Sequence, residues 1–247
     1  MVKVLTEIYN DTAALSYLFL GTDNLEEIAY LISLTAPVNK SVILSGAMRS
    51  LGCQDYDGLE NYSNSMLIDP TLFRGISGSW VCIAGSLFAG NQVRKSHSNK
   101  LTAFSSEDGP IAEICAGQNW KFCRPVVSNS QAYNLENLNL ELKIPIVTIS
   151  LLSELDFIDA AKIDGLIVAG AGTGTISSKA RSNLSKIAKF KPVVVSTRCY
   201  AGPNYDEDMY PGSLSSYEND GFILRGYENL NPLQARLALI VEMSVGE

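Results

Sequence analysis

A hydroxyl and a carboxylate stand side by side at Thr22-Asp23, inside the run Gly21-Thr22-Asp23-Asn24-Leu25-Glu26-Glu27. An aliphatic hydroxyl is a weak nucleophile until a neighbour accepts its proton, and donors must then receive the charge that develops on a carbonyl oxygen. A carboxylate beside it can orient a base or hold the ammonium of an amino acid. The local pattern fits a helix cap equally well. Asp23 followed three residues later by Glu26 is a capping arrangement, and Glu26 and Glu27 would lie at the positive end of a helix dipole. Taken alone, Lys95 beside Arg94 reads as a solvated loop lysine, and His97, the single histidine, as a surface residue.

The flanking elements place the turn where ligands bind. Ala13 to Leu20 is an apolar run that reads as a buried strand. Ile28, Ala29, Leu31, Ile32 and Leu34 follow with helical spacing. Thr22 and Asp23 therefore sit where a strand ends and a helix begins, the ligand-binding edge of open α/β sheets. Strands are also expected at 41–45 and 80–84. Arg124 to Asn137 is polar and aperiodic and reads as a connection. A second alternation then starts, with strands at Ile144–Leu151, Gly165–Ala169 and Val193–Ser196. Helices are expected at Glu154–Lys162, Ser177–Phe190 and Pro232–Met243. The whole predicts an α/β fold of two domains with mostly parallel sheets: 1–123, a linker at 124–143, and 144–247.

Composition narrows the function. With 247 residues, 46% of them hydrophobic, the chain can bury a substantial core. A formal charge of -7 argues against a nucleic-acid or anionic-membrane partner, and no apolar stretch reaches the length of a membrane span. The five cysteines are odd in number and lack metal-ligand spacing, which favours free thiols in a reducing compartment. The N-terminal nine residues read as an amphipathic helix piece rather than a signal peptide, so a cytoplasmic location is expected. Gly170 to Thr175 is glycine-rich but lacks the Lys-Ser/Thr that completes a phosphate loop.

The 21–27 turn resembles the Gly-Thr-Asp-Thr-x-Glu-Glu block of the bacterial and fungal L-asparaginase family, and the likeness continues in order. It runs through Gly46-Ala47-Met48-Arg49, Asp57-Gly58-x-x-Asn61-x-x-Asn64, Val93-Arg94-Lys95-Ser96 and Ala103-Phe104-x-Ser106. In the second half it takes in Asp164 to Gly174, Pro192 to Arg198, and Gly221-Phe222 to Leu230-Asn231-Pro232-x-Gln234-Ala235-Arg236. On these blocks the chain is identified as a member of that family. The resemblance implies an amidohydrolase that converts L-asparagine and water to L-aspartate and ammonia, with no cofactor and no metal. Thr22, Lys95 and Asp23 correspond to the family's catalytic Thr-Lys-Asp set, with Gly21, Thr22 and Asp23 contacting a small amino-acid amide. It further implies a homodimer or homotetramer in which an acid of the second domain reaches a neighbour's substrate. Asp206, Glu207 and Asp208 are candidates for it, as is Glu218. A solvated acidic loop is the alternative.

The departures carry information too. Leu20 and Asn24 flank the turn where the family has His and Thr, and the Gly170–Thr175 loop carries threonines where asparagines are common. The family's Thr-Gly-Gly-Thr strand motif does not occur in these 247 residues. The first domain is thus expected to be incomplete at its N-terminus, and the chain to hydrolyse asparagine poorly. A binding or regulatory protein, or one recruited to another amide or acyl substrate, is the alternative.

Overall fold

The computed structural model describes residues 1–115, 119–205 and 207–245. The chain divides into two compact units, Met1–Asn137 and Leu138–Glu247. The first unit contains helices α1 (Val2–Asn10), α2 (Leu25–Thr35) and α3 (Gly58–Met66). Its strands are β1 (Leu15–Phe19), β2 (Ser41–Ser45), β3 (Gly78–Ile83), β4 (Ser86–Ala89), β5 (Arg94–Lys95), β6 (Phe104–Ser105), β7 (Ala112–Cys115) and β8 (Asn119–Phe122). The second unit contains β9 (Ile146–Thr148), β10 (Leu166–Gly170) and β11 (Val193–Thr197), with α4 (Ser178–Ala188), α5 (Ser213–Asn219) and α6 (Pro232–Val245).

The main sheet of the first unit runs β1-β2-β3-β4-β7-β8. β1, β2 and β3 are parallel, and the remaining pairs are antiparallel. This sheet is therefore parallel from β1 to β3 and antiparallel beyond. The switch comes at Ala84 and Gly85, whose φ values of 49° and 72° make a two-residue hairpin turn that returns β4 along β3. β2 and β3 are buried along their whole length, which the runs Val42-Ile43-Leu44 and Trp80-Val81-Cys82 permit. Trp80 is fully buried and meets the Phe73 ring edge-on at 4.9 Å, within a core that includes Ile43, Ile68, Leu87 and Ala112.

β1 corrects the sequence reading. It is half-buried, not buried, because it lies at the end of the sheet with β2 as its partner. Phe19 remains 40% exposed and leans on the Tyr62 ring at 5.1 Å. The register Leu15↔Ser41 through Phe19↔Ser45 is extended by the Leu20 amide, which donates to the Ser45 carbonyl at 3.0 Å. That last bond carries the ladder up to the 21–24 turn.

Part of the segment read as a connection hydrogen-bonds to the first unit. The Asn129 and Ser130 amides donate to the Ser77 carbonyl, and those of Gln131 and Tyr133 to the carbonyls of Ser33 and Leu34. Asn129 also brackets Ser79 with both ends of its side-chain amide. The approach is possible because residue 78 is glycine. Its φ is 132°, and a Cβ there would stand 1.9 Å from Asn129 Oδ1.

In the second unit β9, β10 and β11 form a parallel sheet in the order β11-β10-β9. Ala180, Leu184 and Ile187 line one face of α4 and pack on Leu166, Val168, Val193 and Val195, while α6 also packs on β10 and β11. The helix expected at 154–162 is replaced by a bend and a short 3₁₀ turn at Ala160–Lys162. Leu155 takes φ of 56°, which an α-helix cannot include, and the Asp159 side chain caps the 3₁₀ turn by accepting the Ala161 amide. α5 was not foreseen.

Truncating Trp80 tests the first unit's core. Trp80→Ala is expected to lower its stability by about 3–5 kcal/mol, read from urea denaturation followed by tyrosine fluorescence and circular dichroism. A loss below about 1 kcal/mol would show that the Phe73–Trp80 packing is not where that core is held.

Candidate active site

Thr22 and Asp23 lie in the turn between β1 and α2, and Lys95 on β5, so the polypeptide must bring together residues more than seventy positions apart. It does so. Lys95 Nζ lies 3.1 Å from Thr22 Oγ1 and 2.8 Å from Asp23 Oδ1. Thr22 is 7% exposed, whereas the Asp23 side chain is 96% exposed and the Lys95 side chain 13%. The ammonium thus bridges a buried hydroxyl and a carboxylate open to solvent. The hydrogen bond from Lys95, aided by its charge, holds the Asp23 carboxyl below the usual carboxylate range, so Asp23 is an anion at neutral pH. Gly21 is exposed, with open space where a side chain would stand.

The turn is held in place by close packing. A Cβ at Gly46, just past β2, would stand 2.3 Å from the Leu20 carbonyl oxygen and 3.3 Å from the Thr22 methyl. Glycine there lets the end of β2 lie directly against the turn that carries Thr22. The Gly46 carbonyl is in turn held by Asn61 Nδ2 at 2.9 Å. The same amide nitrogen donates to Asp57 Oδ2 at 2.9 Å, and Asn61 Oδ1 accepts the Ala84 amide at 2.8 Å. Asp57 is buried and accepts the amides of Met48 and Arg49. Two side chains one turn apart, Asp57 at the N-cap of α3 and Asn61 in its first turn, therefore fix the loops that leave β2 and β3. The sequence offered Asp57 and Asn61 as family markers alone. Their spacing of four was the signal of a shared task.

Glu26 departs from its capping assignment. Asn24 is the N-cap of α2 and makes no side-chain cap bond, and Glu26 instead accepts the Lys95 backbone amide through Oε2 at 2.8 Å. Burial raises its carboxyl above the usual range, against the opposing pull of that hydrogen bond. His97 Nδ1 accepts the amides of Asn99 and Lys100 at 3.2 and 3.3 Å, so its ring holds a loop turn.

In the second unit the acids have structural partners. Glu207 accepts the Gly212 and Leu214 amides at 2.8 and 2.6 Å and so caps α5, while Glu218 pairs with Arg225 at 2.7 Å. Asp206 lies outside the described residues. The Gly170–Thr175 loop closes on itself, with Gly170 against the Gly174 backbone and the Ala171 and Thr175 main chains paired. Among the described residues no group of His, Cys, Asp and Glu could hold a metal ion, and no helix is long and apolar enough to cross a membrane. The five cysteines are free, and burial pushes the Cys82 thiol up to about 12.

Comparison with known proteins extends the likeness over most of the chain. Residues 6–127 match the family model described as asparaginase, N-terminal, and residues 143–247 the glutaminase/asparaginase C-terminal domain. A probable L-asparaginase of Deinococcus radiodurans is 30% identical over 232 residues, covering 92% of this chain and 70% of that protein. L-asparaginase 2 of Escherichia coli is 28% identical over 227 residues, covering 89% of this chain and 63% of that protein. The chain thus spans under two thirds of the latter's length. The crystal structure of a probable cytoplasmic L-asparaginase from Campylobacter jejuni superposes with a TM-score of 0.80 at 28% identity, covering 98% of this chain and 77% of that one.

Two measurements follow from the geometry. Asn61→Ala removes the partners of the Gly46 carbonyl and the Ala84 amide. At about 1–3 kcal/mol for each orphaned group, it should destabilise the first unit by about 3 kcal/mol in urea denaturation. The second concerns Glu26. A carboxyl whose pKa is raised by folding favours the folded state below its unfolded value, and that contribution is lost as pH rises through the folded one. Glu26→Gln should therefore melt above the wild type at pH 7, and the difference should close as pH falls toward about 4. A variant that melts lower at pH 7 would contradict this.

Proposed function

This chain belongs to the asparaginase family, and we propose that Thr22, Lys95 and Asp23 form its amide-hydrolysing site. The observation that carries the proposal is a single amine in contact with both the Thr22 hydroxyl and the Asp23 carboxylate. The substrate is a small amino-acid amide, L-asparagine first. Its α-ammonium is drawn to the exposed Asp23 carboxylate, which sets the side-chain amide over Thr22.

Lys95 is the base that takes the Thr22 proton along the 3.1 Å line. The threonine oxygen bonds to the amide carbon, and the C–N bond then breaks. Lys95 returns the proton to the departing nitrogen, which leaves as ammonia. Water next attacks the ester, releasing L-aspartate and restoring the hydroxyl. Asp23 orients the lysine and steadies the positive charge it gains. A cytoplasmic homo-oligomer is part of the same proposal, and four exposed free cysteines suit that setting.

A second reading, a protein that binds the amino acid without turnover, is favoured by the turn itself, where Leu20 and Asn24 flank Thr22 and Asp23 in place of the family's His and Thr. Ammonia release from L-asparagine and L-glutamine, with calorimetric titration of L-aspartate, separates the two. Under the hydrolytic reading Thr22→Ala and Lys95→Met each cost on the order of a thousandfold in kcat, while Asp23→Asn chiefly raises KM. Binding that is lost in Asp23→Asn, with no ammonia released by the wild type, would favour the second reading. Release untouched by Thr22→Ala would end the assignment of Thr22.

A further inference from the structure

Lys95 sits on a strand of two residues. Arg94 pairs with Ser105 and Lys95 with Phe104, and this is the whole ladder between β5 and β6. So short a ladder does little to fix a long, flexible side chain whose amine must meet two oxygens at once. The loop that follows β5 is tied to itself: the Ser96 amide and hydroxyl both donate to the Ala103 carbonyl, and His97 closes the next turn. None of these bonds ties Lys95 to the turn that carries Thr22 and Asp23.

One bond does. Glu26, in the first turn of α2 and four residues after Thr22, reaches across to the Lys95 main chain and accepts its N–H at 2.8 Å. We propose that Glu26 is a positioning residue. By holding the main-chain amide of Lys95 against the α2 turn, it fixes the origin of the lysine side chain relative to the Thr22 hydroxyl and the Asp23 carboxylate. The capping explanation for an acid at this place fails, because its carboxylate is directed at Lys95 and the N-cap residue Asn24 makes no side-chain cap bond. A general helix-dipole role is met by Glu27, which shares the first turn. What distinguishes Glu26 is reach: its chain length brings one oxygen to one amide on another element.

The inference rests on the proposed role of Lys95, and its test is made independent of turnover. The full chain is labelled with 15N-lysine and compared as wild type, Glu26→Gln, Glu26→Asp and Glu26→Ala. Gln keeps length and acceptor, Asp keeps charge but is one carbon short, and Ala keeps neither. Hydrogen exchange of the Lys95 amide should be protected in the wild type and in Glu26→Gln. It should quicken about tenfold or more in Glu26→Asp and Glu26→Ala, the scale of one lost charge-assisted bond. The Lys95 15Nζ resonance should move with it, reporting displacement of the amine. Where ammonia release is measurable, kcat should fall about tenfold or more in Asp and Ala with KM little changed, and return in Gln. If Ala fails to fold, the Gln and Asp pair still decides the matter. Exchange unchanged in Glu26→Asp, or a Gln variant that behaves like Ala while Asp behaves like wild type, overturns the proposal. A wild type that releases no ammonia yet shows the exchange pattern leaves the positioning intact and refutes the hydrolytic reading instead.

Discussion

Asp23 and Lys95 are 72 positions apart in sequence, yet a carboxylate oxygen of one lies 2.8 Å from the amine of the other. An exposed ion pair contributes little by itself, since water competes for both charges. This one matters because a third group, the buried Thr22 hydroxyl, shares the same amine, and because neither partner can drift far. β1 delivers the turn to the end of the parallel part of the sheet, and the β3–β4 hairpin sends the chain back toward β5. The main sheet can therefore be seen as the device that closes a gap in sequence to a gap of one hydrogen bond.

That closure depends on a small set of polar side chains that bond to main-chain groups. Asn61 joins the Gly46 carbonyl to the Ala84 amide, Asp57 holds the two amides after Ala47, and Glu26 holds the amide of Lys95. Each fixes a loop at the end of a strand, where the sheet ladder can no longer do so. The apolar core supplies stability, and these contacts supply position. Gly46 is the complementary device, because its missing side chain brings β2 against the Thr22 methyl.

Much of this was legible in the residues. Thr22 and Asp23 stood at a readable strand–helix junction, and all six principal strands expected from apolar runs are present. Lys95 was not legible from pattern, since Arg94-Lys95 in a polar loop carries no periodicity, and it was reached by family likeness alone. Glu26 was read as a cap because sequence shows neighbours along the chain and not across it. The helix expected at 154–162 failed at Leu155, whose left-handed backbone no propensity scale anticipates in a leucine. Glu207, an acid in a polar loop, is occupied by two backbone amides at the start of α5, an element too short and weakly patterned to be foreseen.

The bond from Glu26 has a property that bonds between side chains lack. It is made to a main-chain N–H, a group that every residue except proline carries. The anchor is therefore blind to the identity of the side chain it anchors. Histidine, arginine or a small residue could replace Lys95 and still start from the same point against the same turn. The site is in that sense a fixed socket with an interchangeable tool. A family built on such a socket can change its chemistry at one position without rebuilding the scaffold that aims it.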